Sequence, residues 1–404
     1  MKGAFASDFR TLRDSIDEIR EALLAENLDG WLLYDLHARN PVAVRMLGLG
    51  DLTRRFFVLI PREGEPHALI HGIERTPWQQ WPWSTTAYVG WAPLRDELQR
   101  LVTGKRLAME YSASDAVPAM DLVPAGVVEM VRQAGAADVQ SSGNLVSRFY
   151  SRWSPEGLAS HRRAARVLAD TARDAFTHLA DATRDGGTLT EGALKAWVLA
   201  ELERRGASVG ADAIVANTVN AADPHYEPGE RGAELRSGDL VLLDLWSKET
   251  EEGIYADQTW MGFLGERVPD RIQDLFAVIR DGRDAGVQLL RERWTAGTPI
   301  RGYEVDDATR GVVSARGYGD AFIHRTGHSI DQATHGMGPN IDNLETRETR
   351  TLIEGVGFSI EPGVYLAGDI GLRTEIDVFM GADGPEVTTP EPQDSVWALY
   401  GGRA

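Results

Sequence analysis

Apolar residues near the N-terminus recur three and four positions apart, the spacing of one helix face, at Phe9, Leu12, Ile16, Ile19 and Leu23. Short apolar runs that are typical of buried strands follow at 31–34, 56–60, 68–70 and 107–109. Further helical patterns lie near 93–103 and 122–134. Because strands alternate with helices, the pattern predicts a small α/β domain in this part of the chain.

The pattern changes after residue 153. Ser154 is a favourable N-cap, Pro155 suits the first helical turn, and a long helical pattern follows. Further helices are predicted over 190–205 and near 270–293. Short apolar strands are predicted at 213–217, 239–245, 254–263, 358–361, 364–367 and 371–380. We therefore predict an α/β domain over 1–153 and an α+β domain with a large, mostly antiparallel sheet over 154–404.

Composition narrows the class of protein. The 404 residues include 42 Lys and Arg against 61 Asp and Glu, a formal charge of −19. That sign is opposite to the one that nucleic acids or anionic membranes attract. The absence of cysteine excludes disulfides, thiolate ligands and cysteine nucleophiles. With no apolar signal segment or spanning run, we expect a cytoplasmic protein without nucleic-acid or membrane partners.

Acidic residues occur where the apolar strands predict a buried interior, at Asp244, Asp257, Glu361 and Glu375. A carboxylate there is unfavourable unless it is paired or binds a cation. The chain has only nine histidines, yet three fall within twelve residues, at His324, His328 and His335. Four carboxylates and one neutral imidazole carry a charge that two divalent cations would neutralise. An oxygen-rich set without sulfur suits Mn²⁺, with Co²⁺, Fe²⁺ or Zn²⁺ as alternatives.

The second region resembles the pita-bread metallopeptidases, which include methionine aminopeptidase, Xaa-Pro aminopeptidase and Xaa-Pro dipeptidase. The family's ligand order of Asp, Asp, His, Glu and Glu is met by Asp244, Asp257, His328, Glu361 and Glu375. Four segments are similar to motifs of the family. Residues 324–328 resemble its His-x-x-Gly/Ser-His motif, and residues 360–365 resemble its Glu-Pro-Gly-x-Tyr motif. Residues 371–375 resemble the strand with the last ligand, and residues 223–226 resemble the segment with the substrate-binding histidine. The first 150 residues resemble a creatinase-type N-terminal domain by size and by residues 56–61 with Gly64.

The resemblance implies a role for each matching residue. Asp257 and Glu375 would bridge two ions, and Glu361 would also carry a proton between water and the leaving nitrogen. His225 and His335 would stabilise the developing oxyanion or bind substrate, with structural roles as the alternative. Arg373 would pair either with the substrate carboxylate or with a ligand carboxylate. His324 and Tyr365 would either line the pocket or pack in the protein core.

A polar set follows the first predicted strand, at Asp35, His37 and Arg39. Ligands of α/β sheets gather beyond strand ends, although a solvated turn is the alternative. If this domain reaches an active site in its own or a partner subunit, Asp35 would bind the free amine of the substrate. A pocket that binds both the amine and the carboxylate selects for length, which favours a dipeptide.

The sequence departs from the family at several positions. Asp244 and Asp257 are thirteen residues apart, two more than usual, which an insertion in the hairpin 247–253 would explain. Trp246 takes the place of a usual glycine, and Asp331 takes the place of another. These changes concern substrate preference more than metal binding.

The resemblance implies hydrolysis of the peptide bond before proline, with Xaa-Pro dipeptides preferred. The alternatives are an Xaa-Pro aminopeptidase acting on longer peptides, a creatinase-like hydrolase that needs no metal, and a non-catalytic binding module on the pita-bread scaffold. The intact ligand set favours an enzyme. By the same resemblance, the partners are small proline-containing peptides and a second copy of the chain in a homodimer.

Overall fold

The structure is a computed structural model that describes residues 10–50 and 52–401. Contacts divide the chain into two units, Met1–Tyr150 and Ser151–Ala404, three residues before the division predicted from the sequence. Phe9, which belongs to the predicted N-terminal helix, lies outside the described residues. Within those residues, no helix combines the length and the apolar character that a membrane crossing requires.

The first unit is built around one mixed sheet. Its helices are α1 (Arg10–Ala25), α2 (Pro41–Leu47), α3 (Trp91–Val102), α4 (Ala125–Gln133) and α5 (Gly143–Phe149). Its strands are β1 (Gly30–Asp35), β2 (Phe56–Pro61), β3 (His67–His71), β4 (Ser84–Tyr88), β5 (Arg106–Met109) and β6 (Asp138–Ser141). The strand order is β4–β3–β2–β1–β5–β6, with β2 antiparallel to both of its neighbours.

Helices cover both faces of the central strand β1, which explains its continuous apolar run. Leu32 and Tyr34 belong to a core that also contains Leu94 and Leu98 of α3 and the buried valines of α4. Helices α1 and α2 also contact β1. The predicted α/β character of this unit follows from this layering.

The second unit contains the longer helices and the shorter strands. Its helices are α6 (Pro155–Thr183), α7 (Glu191–Arg204), α8 (Asp270–Thr295) and α9 (Gly302–Ala315). Its strands are β7 (Leu189–Thr190), β8 (Val209–Asn217), β9 (Glu234–Leu235), β10 (Leu240–Lys248), β11 (Ala256–Phe263), β12 (Ser329–Ile330), β13 (Gly357–Ile360), β14 (Gly363–Leu366), β15 (Ile370–Arg373), β16 (Ile376–Gly381), β17 (Gly384–Val387) and β18 (Trp397–Ala398).

Where the sequence predicted one large sheet, the structure has two four-stranded sheets. Their strand orders are β18–β11–β10–β8 and β12–β13–β16–β17, and β14–β15 and β7–β9 form two-stranded ribbons. Residues 371–380, predicted as one strand, form β15 and β16 with a break at Thr374 and Glu375. The apolar run could not reveal this break because burial continues through it.

Helix α6 packs on one face of the first of these sheets. It begins as the sequence predicts, because the Ser154 hydroxyl accepts the Gly157 N–H at 3.0 Å and Pro155 occupies the first turn. Its buried face, which includes Leu168, joins Leu243 of β10 and Trp260 of β11 in one core. The opposite face of β10 and β11 carries the candidate site.

Candidate metal centre

Two antiparallel strands bring Asp244 and Asp257 onto one face of the first sheet. In the register of β10 and β11, Trp246 lies opposite Asp257, and Asp244 lies opposite Thr259. Side chains at opposite positions share a face, as do alternate positions along one strand. All four side chains therefore point to the same side, where the two carboxylates are diagonal neighbours.

The other three predicted ligands lie at strand ends of the second sheet. His328 precedes β12, Glu361 follows β13, and Glu375 precedes β16. Because β13 pairs with both β12 and β16, these three ends are adjacent. The sequence analysis placed all four acidic residues within strands. In the structure, Glu361 and Glu375 instead lie just outside β13 and β16, where the backbone does not follow the alternation of a strand.

The five predicted ligands meet in one cluster. Ligand atoms of Asp257, His328 and Glu375 all lie within 4.8 Å of one another. His328 Nε2 is 3.6 Å from Asp257 Oδ2 and 3.5 Å from Glu361 Oε1. Asp244 lines the same cavity. Residues that are far apart in the sequence thus present four carboxylates and one imidazole to a common space.

Burial and mutual repulsion make this cluster unfavourable as a set of unpaired charges. Burial, followed by the charge of Asp244, raises the pKa of Asp257 well above its ordinary value, and burial with Asp257 does the same for Glu375. Burial raises the pKa of Glu361 to about 7, and it lowers the pKa of the His328 imidazole well below its ordinary value. The cluster therefore favours the binding of positive charge.

Two further observations fit a divalent cation. Asp244 Oδ1 is buried and accepts no hydrogen bond within the described residues, so one carboxylate oxygen has unused capacity. His328 Nδ1 donates to the carbonyl oxygen of Ser329 at 3.2 Å, which leaves Nε2 unprotonated and directed at the carboxylates. Oxygen ligands with one imidazole suit Mn²⁺ and similar divalent ions. The residues present therefore fit the predicted metal.

Arg373 is buried beside these ligands. Its guanidinium forms an ion pair with Asp244 Oδ2 and donates from Nε to Thr259 Oγ1 at 3.0 Å. The Thr259 hydroxyl in turn donates to Glu375 Oε2 at 2.8 Å. Of the two roles predicted for Arg373, this geometry corresponds to pairing with a ligand carboxylate. Its role toward substrate stays a prediction.

Tyr365 and His324 form a neutral pair beside Arg373. Burial lowers the pKa of His324 to about 3, and its Nδ1 donates to the carbonyl oxygen of Arg325 at 2.6 Å. Nε2 therefore accepts from the Tyr365 hydroxyl at 2.8 Å. The Tyr365 oxygen lies 3.5 Å from Arg373 Nη1, which donates to it. These contacts give both residues a supporting role, and their predicted contact with substrate stays untested.

His225 and His335 lie at the rim of the site. Both are exposed and line a cavity of about 510 Å³ that also contains the five ligands. The His335 ring is 4.4 Å from the His328 ring at an angle of 78°. The positions suit the predicted contact with substrate, because both imidazoles are accessible beside the ligand cluster.

Asp35 and His37 lie in the first unit, at the turn after β1. Asp35 is buried, and its two oxygens accept the N–H groups of Ala38 at 2.9 Å and Asn40 at 2.8 Å. His37 is exposed and has a positive φ of 63°. The carboxylate therefore holds the turn together, a structural role that the sequence did not predict. The proposed contact with a substrate amine stays a prediction.

The structure adds residues that the sequence did not single out. Glu191, at the start of α7, is fully buried and accepts hydrogen bonds from Asn217 N at 2.8 Å, Asn220 Nδ2 at 2.9 Å, Tyr226 Oη at 2.7 Å and Ala233 N at 2.6 Å. An acidic residue in a first helical turn is ordinary, so it gave no signal.

Arg325 is a second such residue. It lies between His324 and His328, the two histidines that define this motif, and it lines the same cavity as the predicted ligands. Thr259 is a third, because it links Arg373 to Glu375.

The departures from the family pattern have local explanations in the structure. The pairing of β10 and β11 leaves 249–255 as the connecting turn, the place expected for the insertion. Asp331 accepts the N–H groups of Ala333 at 2.7 Å and Met337 at 3.1 Å, and so closes the loop that carries His335. The Trp246 indole lines the cavity with Ile214 and forms an apolar wall beside the ligands.

The model of metallopeptidase family M24 matches residues 159–382, more than half of the chain. The chain belongs to metallopeptidase family M24. This finding confirms the resemblance predicted from the sequence. The family is one of metallopeptidases, in agreement with a cluster that fits divalent cations.

Two curated relatives extend the comparison. An uncharacterized peptidase, YqhT of Bacillus subtilis, is 30% identical over 233 residues, which are 56% of this chain and 60% of that protein. An Xaa-Pro dipeptidase of Lactobacillus delbrueckii subsp. lactis is 34% identical over 173 residues, which are 43% of each chain. The chain thus spans less than two thirds of either relative.

A solved structure matches almost the whole chain. The dipeptidase PepE from Mycobacterium ulcerans is similar with a TM-score of 0.72 at 20% identity, over 97% of this chain and 99% of that one. At this identity the match shows the fold. It confirms the predicted class, a pita-bread catalytic domain preceded by an α/β domain.

Proposed function

We propose that this protein is a divalent-metal-dependent peptidase that hydrolyses the bond before proline, with Xaa-Pro dipeptides as preferred substrates. The observation that carries the proposal is the meeting of Asp244, Asp257, His328, Glu361 and Glu375 in one cavity. Membership of family M24 and the name of the L. delbrueckii relative, an Xaa-Pro dipeptidase, support the same activity. A cavity of about 510 Å³ is in the size range of small-ligand sites.

The five ligands would hold two divalent cations, of which Mn²⁺ suits the oxygen-rich set best. Such cations supply Lewis acidity to a water molecule and to the scissile carbonyl. Glu361 would also accept a proton from water and return it to the leaving nitrogen. His225 and His335, which line the cavity, would donate to the oxygen on which negative charge develops.

Proline gives this bond a special character. Its nitrogen is tertiary and carries no N–H, and its ring fixes φ, so a peptidase that binds a substrate N–H cannot use it. The apolar wall formed by Trp246 and Ile214 offers a surface for such a ring or for the preceding side chain. Longer Xaa-Pro peptides, the substrates of an aminopeptidase, are the alternative that the assay below separates.

The test compares chelated protein with and without added Mn²⁺ on a Leu-Pro dipeptide and a Leu-Pro-Gly tripeptide. We expect metal-dependent cleavage of Leu-Pro in preference to the tripeptide. Asp257→Asn should abolish cleavage and reduce bound Mn²⁺, whereas Asp212→Asn, on strand β8 of the same sheet, should retain both. Preference for the tripeptide would make the protein an aminopeptidase. Cleavage of neither peptide by metal-loaded protein would contradict the proposal.

A further inference from the structure

The active-site cavity contains two arginines whose surroundings differ. Arg373 is buried, and its guanidinium is engaged by Asp244 and Thr259. Arg325 is partly exposed, and among the described residues no hydrogen bond or ion pair joins its guanidinium. Arg325 therefore lines the cavity with guanidinium donors that no group among the described residues occupies.

The Arg325 guanidinium is close to the groups that would act on the scissile bond. Arg325 lines the same cavity as Glu361, His328 and His335. Arg325 directly follows His324, whose backbone and side chain are fixed by hydrogen bonds to Arg310 and Tyr365. The segment that carries Arg325 is thus anchored beside the ligand cluster.

Acidic neighbours do not neutralise Arg325. Glu345 and Glu227 line the same cavity. Glu345 accepts the backbone N–H of Arg325 at 3.2 Å, and Glu227 pairs with Lys195 at 3.4 Å. Neither carboxylate forms an ion pair with the Arg325 guanidinium within the described residues. The Arg325 guanidinium therefore has no anionic partner among the described residues that line the cavity.

The chemistry of an Xaa-Pro dipeptide supplies that anion. Its terminal carboxylate carbon is two bonds, roughly 2.5 Å, from the scissile nitrogen, so a partner for it must lie beside the catalytic groups. A guanidinium can bind a carboxylate through two parallel hydrogen bonds, which fixes orientation as well as adding affinity. In a longer peptide, a neutral amide replaces this carboxylate.

We propose that Arg325 binds the terminal carboxylate of the substrate and thereby selects dipeptides. This inference rests on the proposed cleavage before proline and assigns to Arg325 one of the two roles that the sequence analysis left open for Arg373. Arg373 instead holds Asp244 in position.

The test compares Leu-Pro with Leu-Pro-amide, which lacks only the negative charge. We expect the wild-type protein to favour Leu-Pro by about 10- to 100-fold in kcat/KM, as a charge-assisted pair allows. Arg325→Ala should lose this preference through a higher KM for Leu-Pro, with the amide unaffected. Arg325→Lys should recover part of it. Arg291→Ala, which removes an exposed arginine of α8, is the matched control and should behave as wild type.

An unchanged ratio in an active Arg325→Ala protein would overturn this inference and leave the proposed peptidase intact. Wild-type cleavage of both substrates at equal rates would overturn it as well. Calorimetric binding of Leu-Pro and its amide to the Glu361→Gln protein tests the same contact without turnover. In the Glu361→Gln protein, the additional change Arg325→Ala should weaken the binding of Leu-Pro and leave the binding of Leu-Pro-amide unchanged. Equal affinities of the two peptides for the Glu361→Gln protein that retains Arg325 would contradict the proposal.

Discussion

Asp244 illustrates how individual residues balance charge at this site. One of its oxygens pairs with Arg373, and the other has no hydrogen-bond partner within the described part of the chain. Burial raises the pKa of Asp244, and the Arg373 charge opposes that rise. A carboxylate in this position can hold a cation with one oxygen while the guanidinium fixes its orientation with the other.

The Asp244–Arg373 pair leads to a prediction for the chelated protein. Arg373→Ala should lower the free energy of unfolding by about 3–5 kcal/mol, because it leaves a buried carboxylate without its partner. The measurement is urea unfolding in the presence of a chelator. Arg162→Ala, which removes an exposed ion pair with Glu386, is the control and should change it by less than about 1 kcal/mol. Equal decreases in the free energy of unfolding of the Arg373→Ala and Arg162→Ala proteins would contradict this prediction.

At the scale of elements, the ligands owe their meeting to strand register. A shift of one residue between β10 and β11 would move Asp257 to the face covered by α6. Short apolar runs predicted both strands, and Asp244 and Asp257 lie within those runs. The pairing of β13 with β12 and β16 was not predictable, because partners that are 16 to 29 residues apart along the chain leave no local pattern.

The loop that carries His225 depends on helix α7. Through Glu191, the first turn of this helix binds backbone or side-chain donors at four positions between 217 and 233. Burial and then the hydrogen bond to Glu191 raise the pKa of Tyr226, the neighbour of His225, to about 12. One carboxylate thus orders a segment that has little regular structure.

Glu191→Gln tests this dependence. The amide can replace one oxygen but presents N–H to Ala233 N, so a buried donor loses its partner at a cost of about 1–3 kcal/mol. We expect faster amide hydrogen exchange over 218–233 and a kcat/KM reduced by about 10-fold, with metal content unchanged. Glu203→Gln, on an exposed position of the same helix, is the control. Exchange at the wild-type rate in Glu191→Gln would contradict the role given to Glu191.

At the scale of the whole molecule, the sequence predicted individual helices and strands better than it predicted the pairing of strands that are distant in the sequence. The α6 start, the helices α7 and α8 and the ligand-bearing strands follow from caps and periodicity. The division of the second unit into two sheets depends on pairings that periodicity does not encode. The candidate ligands were predictable from the motif order, whereas the partners of Arg373 in the second unit and of Asp35 in the first required three-dimensional contacts.

The ligand cluster also makes the stability of the second unit depend on pH. Burial raises the pKa of Glu361 from 4.5 to about 7, and Asp244, Asp257 and Glu375 shift in the same direction. The folded chain therefore binds more protons than the unfolded chain across this range, so their contribution to stability falls as pH rises. The lowered pKa values of buried His161 and His324 act in the opposite sense.

A comparison of variants isolates the part due to Glu361. Between pH about 4.5 and about 7, the melting temperature of chelated wild-type protein should fall relative to that of chelated Glu361→Gln, because only the wild type must lose this proton. Added Mn²⁺ should raise the wild-type value more at pH 8 than at pH 5, since protons and cations compete for the same oxygens. Parallel pH profiles of the two proteins, or a Mn²⁺ effect that is independent of pH, would contradict this account of the cluster.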